Sequence, residues 1–517
     1  MDRLSVQDPM SLQVCQPNEQ ERTTKAQWTS LPPEIRLEIW ERLAGDYDYN
    51  PVNSRFAAEK DEFATYAAVC REWQAFFESR LYRSLVLTQS CLETFKDYVD
   101  CRRMKCLENI SLCIELGRLR CPECNELIQA TGDFAISNMI VKAIQTLFTI
   151  LSKWHKDQVS IRGLALEIGI YDLGSRDLQP AYLNGLRRGR GRFITCKHHG
   201  SIDAHRVRTE TPILFYTPLV MSIPFDQGYL PTIDFVKGFI IRWQPCYSLE
   251  PRFLKRILGS LPNLEFIHYE QRRVINQDTN ETALISPQDG YRDLFLTSLP
   301  DTMKTMTLFE DYTEYTELEA YMHQHCVLGN WLHSTSTSIV DPSPSTGAAL
   351  ALRSTCLESL FASYIIDAHH FFEACKPEWV WNNLTTMSLT SQLLMATNDS
   401  SVVNPMLAKA GEAALKMPKL KKMEIWNARA RLAAVFRYQV TASSSEILWF
   451  GAWDLDLAPE VVDIWSRVAE LHTRRELLVQ KRLDLSKAAE SWSHISSMRW
   501  LELDERLIHP VSIVRWC

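Results

Sequence analysis

Any chemistry this chain performs has to start from its thiols, imidazoles and guanidinium groups. Cys121 and Cys124 stand in a Cys-Pro-Glu-Cys knuckle, half of the tetrahedral set that a structural zinc requires. The other ligands would have to come from Cys101, Cys106, Cys113, or Cys196 with His198 and His199, because no second Cys-x-x-Cys exists. A single knuckle is more often incidental, so no metal is expected. His323, His325 and Cys326, and the pair His369 and His370, lack a carboxylate in ligand register and read as helix-surface residues among aromatics. Arg187, Arg188, Arg190 and Arg192 make a compact basic loop, suited to an acidic peptide or a phosphate, or simply to solvent. The chain has no Walker loop, no dinucleotide turn, no His-Glu-x-x-His and no nucleophile elbow. The expectation is a protein without catalytic centre or cofactor, acting by binding.

Composition narrows what it binds. The 517 residues, 46% hydrophobic and 23% charged, suffice for two or three domains, or for a small domain joined to an extended array. A net charge of -7 lacks the basic footprint of a general nucleic-acid binder. The 14 cysteines are scattered and the opening MDRLSVQDPM has no apolar core, so reduced thiols in the cytoplasm or nucleus are expected. The apolar stretch MIVKAIQTLFTILSKW is interrupted by Lys142 and Lys153, short of the roughly 18 apolar residues of a membrane span.

The elements that must position a binding site come in two textures. Residues 1–27 are polar and expected to be a disordered tail. In TSLPPEIRLEIWERLAG, Leu31, Ile35, Ile39 and Leu43 mark one stripe of an amphipathic helix, with prolines in its first turn and Gly45 at its end. A second run carries Phe63, Tyr66, Ala67 and Cys70, and a third Trp73, Phe76, Phe77 and Leu81. From about residue 100, apolar residues at offsets 0, 3 and 5 recur. They are Leu107-Ile110-Leu112, Ile161-Leu164-Leu166, Val236-Phe239-Ile241, Leu264-Ile267-Tyr269 and Met303-Met306-Leu308, then Leu357-Leu360-Ala362, Leu384-Met387-Leu389, Leu420-Met423-Ile425 and Met498-Leu501-Leu503. Such triplets arise by chance at roughly a tenth of sites, so their weight comes from context. Several follow a helix and a proline break, as in FLKRILGSLPNLEFIHYE and EAALKMPKLKKMEIWN. Helix, turn and strand is the unit of a leucine-rich-repeat horseshoe. An ordinary α/β domain with repeated helix–strand units is the alternative. On the array reading, the last triplet is a terminal strand that caps its predecessor.

The segments LPPEIRLEIW, AAVCREWQAFF and LYRSLVL resemble, in residue type and order, an F-box. Leu31, Pro32, Glu34, Ile35, Ile39, Val69, Cys70, Arg71, Trp73, Leu81 and Tyr82 carry the likeness, and the stretch 44–64 is longer and more polar than in the family. Further segments (LFTILSKW, KGFIIRW, DAHHFFEACKPEW, MPKLKKMEIWN, LIHPVSI) resemble fungal F-box proteins with a large leucine-rich-repeat-like C-terminal region. The resemblance implies an α+β protein: an all-α three-helix module at 28–88, then an irregular α/β solenoid over 100–517. It implies a substrate receptor of a Skp–cullin–F-box ubiquitin ligase. Leu31, Pro32, Glu34, Ile35, Ile39, Val69, Cys70, Trp73 and Phe77 would bind the Skp-type adaptor, and through it a cullin. Trp243, His268, Glu310, Trp426 and Asn427, placed at strand ends on a concave face, would anchor the target protein. The alternatives are an F-box protein that binds the adaptor without delivering a target, or an unrecognised enzyme in the C-terminal region.

Overall fold

The structure is a computed structural model describing residues 28–45, 63–116, 133–172, 219–221, 230–243, 247–249, 251–272, 287–311, 342–395, 398–429, 432–484, 494–510 and 512. It is a mixed α/β protein. The helices α1 (Pro33–Ala44) and α2 (Arg71–Leu81), with a helical stretch at 63–67, precede the first strand. The strands are β1 (Ser84–Thr88), β2 (Asn109–Leu116), β3 (Leu164–Asp172), β4 (Leu219–Met221), β5 (Val236–Ile241), β6 (Tyr247–Leu249) and β7 (Phe266–Arg272). They continue as β8 (Thr305–Asp311), β9 (Ser359–Ser363), β10 (Thr386–Thr390), β11 (Lys422–Arg429), β12 (Leu432–Val440), β13 (Ser445–Gly451) and β14 (Leu477–Leu483).

All of these except the small pair β4 and β6 belong to one 12-stranded sheet, ordered as they occur in the chain. Pairing is parallel from β1 through β11, antiparallel on both sides of β12, and parallel again between β13 and β14. A strand that always pairs with its successor makes every crossover run the same way, so the connecting helices collect on one side. These are α6 (Pro251–Gly259), α7 (Pro287–Thr297), α8 (Pro344–Ser354), α9 (Ala368–Glu373), α10 (Ser400–Ala414) and α11 (Pro459–Thr473), each packed on the next. Three shorter or earlier helices, α3 (Leu92–Tyr98), α4 (Cys101–Met104) and α5 (Asp133–Leu151), accompany β1 to β3.

All but the last of the apolar triplets lie on strands. Their inward residues stand in register across the sheet, as the ladder Ile110, Leu166, Phe239, Ile267, Met306, Leu360, Met387 and Met423. Each rung is buried against helix side chains such as Phe253, Leu254, Ile257 and Leu258 of α6, in one continuous core. Gly411 lets the layer close, since a Cβ there would meet Ile464 of α11 at 2.6 Å. The neighbouring Trp465 donates its indole N–H to the Leu407 carbonyl at 3.1 Å.

Two expectations from the sequence need correction. The Met498-Leu501-Leu503 triplet is no terminal strand; it lies on helix α12 (His494–Trp500) and the turn after it, where Glu502 takes a φ of 55°. The sheet also begins at Ser84, inside the segment assigned to the helical module, because SLVLT pairs with β2 along its whole length. The tail at 1–27 lies outside the described residues.

The triplets are not equivalent in their first members. Leu264 is 0% exposed beneath its turn, whereas Ile161 is 104% exposed. Leu264→Ala is expected to cost about 2–5 kcal/mol in chemical denaturation, and Ile161→Ala less than about 0.5 kcal/mol. Equal losses would mean that the ladder does not carry the fold.

Candidate functional site

The helical module closes on its own aromatic residues. Trp40, Phe63 and Phe77 are buried, with Trp28, Tyr66, Trp73 and Phe76 packed around them. The rings of Trp28 and Trp73 lie 5.1 Å apart, and those of Trp40 and Phe76 5.0 Å apart. Glu72 ties the two long helices, pairing with Arg36 and accepting the Trp28 indole N–H at 3.0 Å. The inward stripe of α1 therefore runs through Arg36, Trp40 and Ala44. The stripe that periodicity marks, Leu31, Ile35, Ile39 and Leu43, is turned outward. Leu31 and Ile39 are half-buried, Pro32, Glu34 and Cys70 are exposed, and Ile35 and Val69 are 43% and 59% exposed. The proposed adaptor contacts Trp73 and Phe77 behave differently. Trp73 is half-buried in the aromatic cluster and Phe77 is wholly buried, so Phe77 is core and offers no contact to a partner.

On the sheet face opposite the helices, the chain's own C-terminal segment crosses from β13 to β7. Trp500 packs edge-on to Phe450 of β13 at 5.3 Å. The carbonyls of Leu501 and Glu502 accept hydrogen bonds from Arg437 of β12 at 2.8 and 2.7 Å. The Asp504 N–H donates to Glu424 of β11 at 3.3 Å, and Arg506 lies over the Phe361 ring of β9 at 4.8 Å. Leu507 and Ile508 are buried beside these strands.

The crossing ends on Glu270 of β7, a carboxylate with no exposed side-chain surface. Its oxygens accept from the Trp243 N–H at 2.7 Å, the His509 N–H at 2.5 Å and the Ser512 hydroxyl, and pair with His268 Nε2 at 2.6 Å. Burial pushes this carboxyl up, but His268 and the hydrogen bonds from Ser512 and His509 outweigh it. The group is held below the ordinary carboxylate range. Glu424 is the second buried anchor, paired with Arg437 at 2.8 Å and Lys422 at 2.9 Å.

None of the five residues expected to anchor a target is free surface. Trp426 is wholly buried in the cluster that includes Trp500 and Leu501, and the His268 ring sits 5.5 Å from His509. Trp243, Glu310 and Asn427 are also buried. Glu310 alternates with the outward Phe309, so it shares the helix side of β8 with Met306 and Leu308, where Gln271 donates to it at 2.9 Å. The concave-anchor expectation fails at Trp426 and His268 because a later part of the same chain fills that face, and at Glu310 because its strand turns it toward the helices.

Of the weaker constellations, His369 and His370 sit half-buried on α9, whose N-terminus is capped by Asp367 through the His369 N–H at 2.8 Å. Burial pushes the Cys375 thiol up to about 12, which keeps it protonated and unreactive. Among the described residues no group of three His, Cys, Asp or Glu is placed to hold a metal ion. Cys121, Cys124, the arginines at 187–192, Cys196, His198, His199 and the cluster at 323–326 lie outside the described residues. Among the described residues no helix is long and apolar enough to cross a membrane.

The chain matches a family of unknown function, DUF6546, over residues 298–509. That match, less than half of the chain, runs from just before β8 to His509 and so takes in most of the crossing segment. No F-box domain is detected, and no curated protein matches. Sequence reasoning missed Glu270, His509 and Ser512 as a group. They are separated by 239 and 242 positions, and no local pattern links them.

Because the Glu270 carboxyl is depressed, its stabilisation is present above the ordinary carboxylate pKa of about 4 and is lost as pH falls through the folded value. Acidification should therefore loosen residues 501–512, seen as faster amide exchange there than in the β9–β11 core. Glu270→Gln should bring that loosening to neutral pH and cost about 1–3 kcal/mol. A segment equally protected in both proteins would show that Glu270 is not its anchor.

Proposed function

We propose that this protein is a receptor subunit of a Skp–cullin–F-box ubiquitin ligase, its helical module engaging a Skp-type adaptor and its α/β region engaging a target protein. The observation that carries the reading is the outward stripe of α1. Ile35 and Leu43 of this stripe are exposed on a module whose own aromatic core is already closed, and Val69 and Cys70 are exposed at the entry to α2. An apolar surface left over after a small core is satisfied is what a partner covers. The stripe coincides with the residues that carry the F-box likeness, which makes the adaptor the favoured partner.

On this reading the mechanism is non-covalent. The adaptor fixes the chain on a cullin scaffold, and the target's lysines are raised to a high effective concentration near the charged ubiquitin-conjugating enzyme. The chain itself contributes no catalytic group or cofactor. The unidirectional parallel strands and the apolar ladder along them support reading the α/β region as leucine-rich-repeat-like. The target would dock on surfaces that the C-terminal segment leaves open. Such an assembly works in the cytoplasm or nucleus.

The test is capture of a Skp-type adaptor by the full chain. Ile35→Asp with Val69→Asp should abolish capture and leave the unfolding midpoint unchanged, because both side chains face solvent. Phe77→Ala should lower stability by about 3–5 kcal/mol as a core truncation. Undiminished capture by the double variant, or no capture by the wild type, would sink the proposal.

A further inference from the structure

The terminal strand of the sheet carries a feature that neither the adaptor surface nor the crossing segment uses. β14 pairs with β13 on one side and with no strand on the other among the described residues. A strand of this length spans about 23 Å, and its free edge presents a row of unpaired amide and carbonyl groups. The edge is also apolar: Leu478, Val479 and Leu483 are 48%, 50% and 45% exposed, and Leu471 on the adjoining α11 is 63% exposed. Sheet ends are ordinarily blunted by charges projecting across them. Here Lys481 is drawn back onto Asp454 and Asp456.

The sequence of this edge, ELLVQKR from Glu476 to Arg482, is self-complementary in charge at its ends when run antiparallel to itself about Val479. Glu476 then faces Arg482 of the second copy, a contact that occurs twice by symmetry. Val479 meets Val479 at the centre, and the leucines flank it. Glu476 is exposed and has no ion-pair partner among the described residues. Arg482 lies over the Phe450 ring at 4.3 Å and makes an exposed contact with Glu502 at 3.3 Å, so its outer nitrogens can be shared with a carboxylate of the second copy. Other registers are penalised. Centring on Gln480 sets Glu476 against Asp484, and centring on Lys481 sets two lysines face to face. A two-fold axis through Val479 satisfies the isologous rule that each contact occurs in both directions.

We propose that two copies of this chain join edge to edge through β14, in the antiparallel register centred on Val479, to form one continuous sheet across the two-fold axis. The proposal stands on the far end of the molecule and is independent of the adaptor reading. In a dimer the two helical modules lie at opposite ends of the joined sheet, since each sheet runs in chain order from β1 to β14.

The full chain should sediment as a dimer at about 10 µM, and Val479→Lys should convert it to a monomer by placing two ammonium groups on the axis. The decisive series is charge reversal. Glu476→Arg alone, or Arg482→Glu alone, replaces two attractive contacts by two repulsive ones and should weaken self-association by about tenfold or more. Glu476→Arg combined with Arg482→Glu restores complementarity and should restore the dimer. Circular dichroism of the single reversals guards against misfolding, which the double variant would not repair. A wild-type monomer, a dimer indifferent to Val479→Lys, or a double variant no better than the singles would overturn the proposal.

Discussion

A parallel strand cannot bury its apolar face or satisfy its edges by local turns, so it needs a crossover helix and a neighbour on each side. That constraint organises most of this molecule. From β1 to β11 every strand of the large sheet pairs in parallel with the preceding strand of that sheet, so one register is passed along it, rung by rung, from Ile110 to Met423. Misplacing a strand by one residue would turn its apolar residues away from the helix layer. The antiparallel steps on either side of β12 preserve the arrangement, because Phe436 and Tyr438 still point toward Trp465 of α11.

The other face is closed by different physics. The C-terminal segment is held through its backbone by Arg437, Glu424 and Glu270, whose charges are buried and would be costly if left alone. Arg437 compensates Glu424, and His268 with two donors from the segment compensates Glu270. Each anchor needs the crossing as much as the crossing needs the anchor. The consequence for function is geometric. Much of the strand face from β7 to β13 is interior, and exposed apolar side chains among the described residues include those on the outward stripe of α1 and at the free edge of β14.

The helical module shows how an amphipathic pattern can be read correctly and placed wrongly. The spacing of Leu31, Ile35, Ile39 and Leu43 does define a helix face, yet the core takes the neighbouring face through Trp40. Trp40 wins because its indole fills the space between Trp28, Trp73 and Phe76, which the aliphatic side chains cannot. Phe77 is the converse case, expected to contact the adaptor and entirely core.

By itself the sequence determined the elements and their order. The offset triplets mark β2, β3, β5 and β7 to β11 because a parallel strand between two neighbours repeats the same burial each time. The prolines in its first turn marked the start of α1. Only the tertiary structure decided what Met498 and Leu501 pack against, since their apolar spacing suits a strand and a helix equally and the deciding contacts are with Phe450 and Trp426. It also decided that Trp243, Glu310, Trp426 and Asn427 are interior and that His268 is half-buried. The burial of Trp426 and the packing of His268 depend on a segment met long after them in the chain, whereas Glu310 is covered from the helix side, and no pattern within a local window encodes a contact across 239 residues.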